Sequence, residues 1–120
     1  MKFTVDVWNL FPKYFLQISV WEFQRVTVQD QRLGIFYEHA EWFKPLFAEL
    51  DRRAIDYDRL LAYKHSFDPI ERHCPYILVL NRMSPSAYLR GHSQAIFYTL
   101  EYLAYLKNIG ANVLNGYDAY

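Results

Sequence analysis

The sequence predicts an α/β domain with a mainly parallel sheet of four or more strands over residues 32–120. Two apolar runs, LGIFY at 33–37 and YILVL at 76–80, have no polar side, which is typical of strands buried on both faces of a parallel sheet. Each run is followed by a segment with apolar residues at helical spacing. Alternation of this kind places parallel strands in one sheet with helices packed against it.

The elements are expected in the order β-α-β-β-α-β. The first helix lies near residues 42–53 and has Pro45 in its first turn, where proline is tolerated because the amide it lacks would have no helical partner. The polar, Pro-bounded stretch 66–75 is predicted to be a loop. The four strands are expected at residues 33–37, 57–61, 76–80 and 112–115.

The longest helix is predicted over residues 93–109. It ends before Gly110, a residue suited to the left-handed backbone that often follows a helix. Leu100 and Leu103 are expected on its buried face, in line with Ile96 and with Leu106 or Lys107. Its tyrosines, which we assign to packing or an interface rather than to chemistry, are Tyr98, Tyr102 and Tyr105.

Residues 1–31 differ from the rest of the chain in their hydrophobic pattern. Phe3, Val5 and Val7 alternate with polar residues, and Val26 and Val28 flank a threonine. Because period-2 alternation indicates strands, we expect a β extension in front of the domain at 32–120.

The composition excludes several classes of protein. Thirteen basic and thirteen acidic residues cancel, so no overall positive field attracts nucleic acid or an anionic membrane. Charged residues interrupt the long apolar stretches, so no membrane span of about 18 residues is expected. Cys74 is the only cysteine and cannot form an intrachain disulfide. We therefore expect a cytoplasmic protein that binds neither nucleic acid nor a membrane.

Polar residues follow the predicted strands at the sheet edge where ligands of open parallel sheets bind. Arg82 is the most informative of them, because its planar fork suits a carboxylate or a phosphate. Two interpretations of Arg82 are open: it contacts an anionic ligand, or it forms a structural pair with Glu38. The candidate substrate-binding residues at these strand ends are Glu38, His39, Arg82, Ser84, Asn115 and Gly116.

The segment 84–92 contributes further candidates. The hydroxyls of Ser84 and Ser86 and the guanidinium of Arg90 are suited to wrapping a ligand, and an ordinary loop with a helix cap explains the same residues. His39 is compatible with a general base or metal ligand, and more simply with a surface histidine at a helix start. The four histidines lack HxxxH or HExxH spacing, so no histidine metal centre is expected.

Common nucleotide-binding fingerprints are absent from the sequence. The four glycines form neither GxGxxG nor GxxxxGK[ST], which excludes the dinucleotide and P-loop motifs. A receiver domain needs an acidic cluster after its first strand and an aspartate after its third, whereas Glu38 stands alone and position 81 is Asn.

A more distinctive pattern runs from Asn81 to the end of the chain. It consists of an arginine after an apolar strand, a serine-containing loop, a long helix with Leu-Glu and then Gly, and a short strand that ends in Val-Leu-Asn. These features are Arg82, Ser84, Leu100-Glu101, Gly110 and Val113-Leu114-Asn115. The pattern closely resembles the end of the N-terminal (pre-ATP-grasp) domain of RimK-like ATP-grasp carboxylate–amine ligases. The preceding β-α-β stretch fits the opening of that domain, so the resemblance covers about residues 32–120.

The resemblance implies a three-layer Rossmann-like domain on the substrate side of a ligase. Such enzymes join a carboxylate to an amine through an acyl phosphate. The resemblance places ATP and Mg²⁺ in downstream ATP-grasp domains or a separate subunit, which would be the partner of this chain, and leaves this chain without a cofactor or catalytic residue of its own. It also implies that Arg82 and Ser84 contact a small-molecule or peptide substrate, with Asn115 and Gly116 at the cleft.

Two other classes of function are open. One is a stand-alone module that binds a small ligand at the strand ends without catalysis. The other is a protein-interaction domain that uses residues 1–31 and exposed aromatic side chains, including formation of a homo-oligomer.

The fragment interpretation makes a direct prediction. The 120-residue chain is expected neither to hydrolyse ATP nor to bind it tightly, because it has no phosphate-cradling loop and no paired carboxylates for Mg²⁺. Isothermal titration calorimetry with Mg-ATP checks this, and micromolar affinity would contradict it.

Overall fold

A computed structural model of the chain describes residues 32–120, and the β extension predicted for residues 1–31 lies outside them. The described part follows the expected order of elements. They are β1 (Leu33–Tyr37), α1 (Lys44–Arg52), β2 (Tyr57–Leu61), β3 (Leu78–Asn81), α2 (Ser93–Asn108) and β4 (Val113–Leu114). Short 3-10 segments at Ala40–Phe43, Pro85–Arg90 and Tyr117–Ala119 precede α1, precede α2 and follow β4.

The four strands form one parallel sheet in the order β2-β1-β3-β4. This confirms the predicted parallel pairing of the LGIFY and YILVL runs, in which Leu33 lies opposite Leu78 and Phe36 opposite Asn81. The third strand starts at Leu78, two residues later than predicted, and continues to Asn81. The predicted loop at 66–75 is confirmed as part of the connection from β2 to β3.

Helices cover both faces of the sheet. Alternate residues of β1 point to opposite sides, so Ile35 and Tyr37 pack in a core with the side chains of α1, whereas Phe36 packs in a second core with those of α2. Parallel crossovers are right-handed, and the steps from β1 to β2 and from β3 to β4 run in opposite directions across the sheet. The two helices therefore lie on opposite faces, which gives three layers.

Two glycines have structural reasons, one for close packing and the other for its backbone conformation. A Cβ atom on Gly34 of β1 would lie 2.9 Å from the ring of Tyr76 and 3.1 Å from Leu60, so only glycine lets these side chains cover the strand. Gly110 follows α2 with φ of +73°, which confirms the predicted left-handed end of that helix.

The predicted buried face of α2 is partly wrong. Leu103 is 1% exposed and Leu106 is buried, as expected, but Leu100 is 37% exposed. The helix instead presents the small side chains of Ala95 and Thr99 to the sheet. The Thr99 hydroxyl donates to the Ala95 carbonyl at 2.6 Å, which satisfies its polar group in the core. Because threonine is a polar residue, a search for hydrophobic periodicity does not predict that it is buried.

The tyrosines of α2 pack as predicted. Tyr102 is buried and its ring lies near those of Phe36, Phe67 and Tyr105. Burial raises the pKa of the Tyr98 hydroxyl to about 12, in line with its place against the core beside Phe36 and Tyr102. Among residues 32–120, no helix is long and apolar enough to cross a membrane.

The two leucines of α2 offer a matched test of the fold. Leu103→Ala is expected to lower the free energy of unfolding by about 2–5 kcal/mol, because it leaves a cavity in the core. Leu100→Ala is expected to change it by less than about 1 kcal/mol, because much of that side chain is already in water. Urea denaturation of both variants measures the difference, and equal losses would show that the helix is rotated.

Candidate functional site

A pocket of about 380 Å³ lies beyond the carboxyl ends of β1, β3 and β4. We call it the strand-end pocket. The sheet order reverses between β1 and β3, and such a switch point leaves a crevice in which ligands of open α/β sheets bind. The described residues that line the pocket are Trp42, Phe43, Asn81, Arg82, Met83, Ser84, Pro85, Asn115, Ala119 and Tyr120.

Arg82 supplies the only charged side chain among the described lining residues. Its backbone N–H donates to the Phe36 carbonyl at 2.8 Å, so the ladder between β1 and β3 fixes the point at which the side chain leaves the sheet. The side chain is exposed and forms no ion pair with an acidic residue in the described part of the chain. Its positive charge is therefore available to an anion in the pocket.

Two asparagines form the base of the pocket. Asn81 ends β3 and is buried, and its side chain donates to the Asn115 carbonyl at 2.9 Å. Asn115 returns the bond from its own amide to the Asn81 carbonyl at 3.2 Å, with a left-handed backbone (φ +58°) that asparagine tolerates better than most residues. The Asn81 side-chain oxygen also accepts from the Met83 N–H at 3.0 Å. These bonds fix the start of the loop that carries Arg82 and Ser84.

A buried carboxylate lies next to the pocket, at the end of β1. The side chain of Glu38 is 3% exposed and is bound by two residues of the segment after β3. Arg90 donates from Nε to both oxygens at 3.0 and 2.9 Å and from Nη2 to Oε2 at 2.6 Å. His92 places Nδ1 2.6 Å from Oε1. We call these three residues the Glu38 cluster.

The Glu38 cluster keeps its carboxyl group ionised. Burial alone would raise the pKa of Glu38, but the hydrogen bonds and charges of Arg90 and His92 outweigh it and hold the pKa below its ordinary value of 4.5. The same contact raises the pKa of Arg90. Arg90 therefore has its charge neutralised within the protein, whereas Arg82 does not, and the structural pair of Arg82 with Glu38 is not formed.

Contacts extend from the Glu38 cluster to the pocket wall on two sides. Arg90 Nη2 donates to Ser86 Oγ at 3.3 Å, and Ser86 Oγ lies 2.8 Å from Ser84 Oγ, which lines the pocket. The Arg90 guanidinium also lies 5.3 Å from the ring of Trp42, another lining residue. The ring of His39 stacks on the ring of Trp42 with 4.2 Å between centroids, and its buried Nδ1 has no hydrogen-bond partner among residues 32–120. The stacking supports a packing role for His39.

The structure brings some of the predicted site residues together and separates others. Arg82, Ser84 and Asn115 line the strand-end pocket, whereas Glu38, His39 and Ser86 lie behind its wall. Gly116 borders a separate depression of about 270 Å³ next to α2.

Sequence reasoning did not assign roles in the site to Asn81, Trp42 and His92, and it placed Arg90 against a ligand, whereas the structure pairs it with Glu38. A signal for a partner of Glu38 was available, because a carboxylate directly after a fully apolar strand requires a cationic partner. No group of three or more His, Cys, Asp or Glu side chains within residues 32–120 could hold a metal ion.

Comparison of the chain with protein-family models, with curated proteins and with solved structures gave no match.

The Glu38 cluster predicts a pH-dependent contribution to stability. Since the pKa of Glu38 is lower in the folded protein, its stabilisation is complete above the ordinary value of 4.5 and is lost as the pH falls through the folded-state pKa. Glu38→Gln is expected to lower the free energy of unfolding at pH 7 by about 1.5–3 kcal/mol, the range for hydrogen bonds to charged groups. This loss should shrink at pH 3.

Urea denaturation of wild type and variant at both pH values tests this expectation. Glu49→Gln is the control, because Glu49 also binds two arginines, Arg52 and Arg53, but on the exposed surface of α1. Exposed pairs contribute at most about 1 kcal/mol. A Glu38→Gln loss that is the same at pH 7 and pH 3 would show that the carboxylate charge is not what stabilises the fold.

Proposed function

We propose that residues 32–120 form the substrate-side domain of an ATP-dependent carboxylate–amine ligase of the RimK-like ATP-grasp type. In this proposal the strand-end pocket holds a carboxylate or phosphate of the substrate. ATP and Mg²⁺ are bound by ATP-grasp domains that these 120 residues do not include, and the ligase acts in the cytoplasm. The three-layer fold and its all-parallel sheet are compatible with this role.

The proposal depends mainly on one observation, which is that the charged side chain of Arg82 lines the pocket without an acidic partner among residues 32–120. An exposed guanidinium without an acidic partner in the described part of the chain stands at the switch point of the sheet, beside the Ser84 hydroxyl and the Asn115 backbone. Arginine binds carboxylate and phosphate groups through parallel hydrogen bonds, and serine adds a neutral donor. Three residues of the pattern that resembles the ligase domain, Arg82, Ser84 and Asn115, also line the strand-end pocket.

The buried charge of Glu38 is compatible with anion binding. An uncompensated carboxylate behind the pocket wall would repel an anionic ligand, but Arg90 and His92 bind both of its oxygens. Among the described lining residues, Arg82 then supplies the side-chain charge that an anionic ligand meets.

The stand-alone binding module uses the same pocket and the same arginine, so the pocket does not separate it from the ligase. The coding sequence downstream of Tyr120 does. ATP-grasp domains there support the ligase, and a stop codon after Tyr120 supports the binding module.

Arg82→Ala in the enzyme that contains this domain tests the proposal. It is expected to lower kcat/KM for the anionic substrate by about tenfold or more, equivalent to ~1.4 kcal/mol of transition-state stabilisation. The melting temperature should stay near that of the wild type, because the side chain is exposed.

Arg53→Ala is the matched control, since Arg53 is an exposed arginine that directly follows α1 and forms an ion pair with Glu49 at the surface. It should leave both kinetics and melting temperature nearly unchanged. Equal kinetics for the two variants would refute a ligand role for Arg82.

A further inference from the structure

We propose that Glu38 and Arg90 are positioning residues that orient the Ser84 hydroxyl as a hydrogen-bond donor into the strand-end pocket. The inference rests on the proposed function, and it names residues that act through others without touching the ligand. It also assigns Ser86 a relay role between Arg90 and Ser84.

The direction of the hydrogen bonds follows from the chemistry of the groups. A guanidinium only donates, so Ser86 Oγ accepts from Arg90 Nη2 at 3.3 Å. A charged donor polarises the hydroxyl that accepts from it, which favours Ser86 as the donor to Ser84 Oγ at 2.8 Å. Ser84 Oγ also accepts from the Ser86 N–H at 3.3 Å. With both lone pairs of Ser84 used in this way, its own proton is left to donate to a third group, which in this proposal is a ligand in the pocket that Ser84 lines.

A hydroxyl that donates into the pocket favours an anion. Arg82 supplies the charge and Ser84 supplies a second, neutral donor beside it in the same lining. Without the relay, the Ser84 proton would be free to turn toward Ser86, and the ligand would face a lone pair instead. A lone pair in this position disfavours a carboxylate or phosphate oxygen.

The segment that carries Ser86 and Arg90 depends on Glu38 for its placement. The 3-10 segment Pro85–Arg90 buries Ala87 but leaves Tyr88 60% and Leu89 71% exposed. Its apolar burial is therefore small, and short segments of this kind open easily. The three hydrogen bonds from Arg90 to Glu38 tie its end to β1. The Arg90 guanidinium also lies 5.3 Å from the ring of Trp42, another residue that lines the pocket.

Titration of the 120-residue chain with acetate and with inorganic phosphate at pH 7 tests the proposal, followed by the backbone amide NMR signals of residues 82–86. Ser86→Ala leaves the Glu38–Arg90 pair in place and removes only the relay hydroxyl. It is expected to weaken anion binding at least about threefold, the scale of one hydrogen bond, with an unchanged melting temperature. Ser86→Thr restores the hydroxyl and should restore the affinity, which a purely structural role would not produce.

Arg90→Lys tests the positioning residue itself. Lysine keeps the charge opposite Glu38 but lacks the fork that reaches Glu38 and Ser86 together. We expect weaker anion binding and faster hydrogen–deuterium exchange of amides 84–92. Arg53→Lys, which changes an exposed arginine of another Glu–Arg pair, should alter neither.

The possible results separate this inference from the proposed function. If Arg82→Ala abolishes anion binding while Ser86→Ala and Arg90→Lys bind like the wild type, positioning is overturned and the pocket stands. If the wild type binds neither acetate nor phosphate, the pocket proposal fails. The inference about Ser84 rests on that pocket and is then overturned with it, whatever the exchange rates of amides 84–86. Should Arg90→Lys fail to fold, the comparison of Ser86→Ala with Ser86→Thr decides alone.

Discussion

β1 pairs with β2 along one edge and with β3 along the other, and the placement of every other element depends on this double pairing. Both faces of the strand are covered, one by the core of α1 and the other by the core of α2. Because the chain leaves the β1–β3 pair in opposite directions, a crevice opens beyond their carboxyl ends. Glu38, which follows β1, and Arg82, which follows β3, therefore lie at the same edge of the sheet, although they are far apart in the sequence.

Glu38 and Arg82 have opposite charges and differ in burial, since Glu38 is buried and Arg82 is exposed. Glu38 turns inward, where the charge of Arg90 balances it and His92 lies within hydrogen-bond distance, so a charge that is costly to bury becomes an anchor for the segment before α2. Arg82 turns outward into the pocket and finds no acid in the described part of the chain. The structure therefore uses one arginine to organise the site and keeps a second one free for an anion.

The candidate site could be predicted from the sequence only in part. Arg82 and Ser84 directly follow an apolar strand, so the end of that strand was enough to place them at the sheet edge. Arg90 could not be paired with Glu38 in the same way, because the two residues are 52 positions apart and the length of the intervening turn decides which arginine reaches the carboxylate. Simple adjacency of strand ends suggested Arg82 instead, and the structure corrects this.

The order of elements, the parallel sheet and the end of α2 before Gly110 could be predicted, because each follows from local patterns of apolar residues, proline and glycine. The buried face of α2, in contrast, depends on how the helix packs against the rest of the domain. Close packing on the sheet selects small side chains such as Ala95 and Thr99 over the larger Leu100, and a threonine bonded to its own helix carries no hydrophobic signal. The same holds for the Glu38 cluster, since ion pairs are selected by distance in space and leave no periodic trace along the chain.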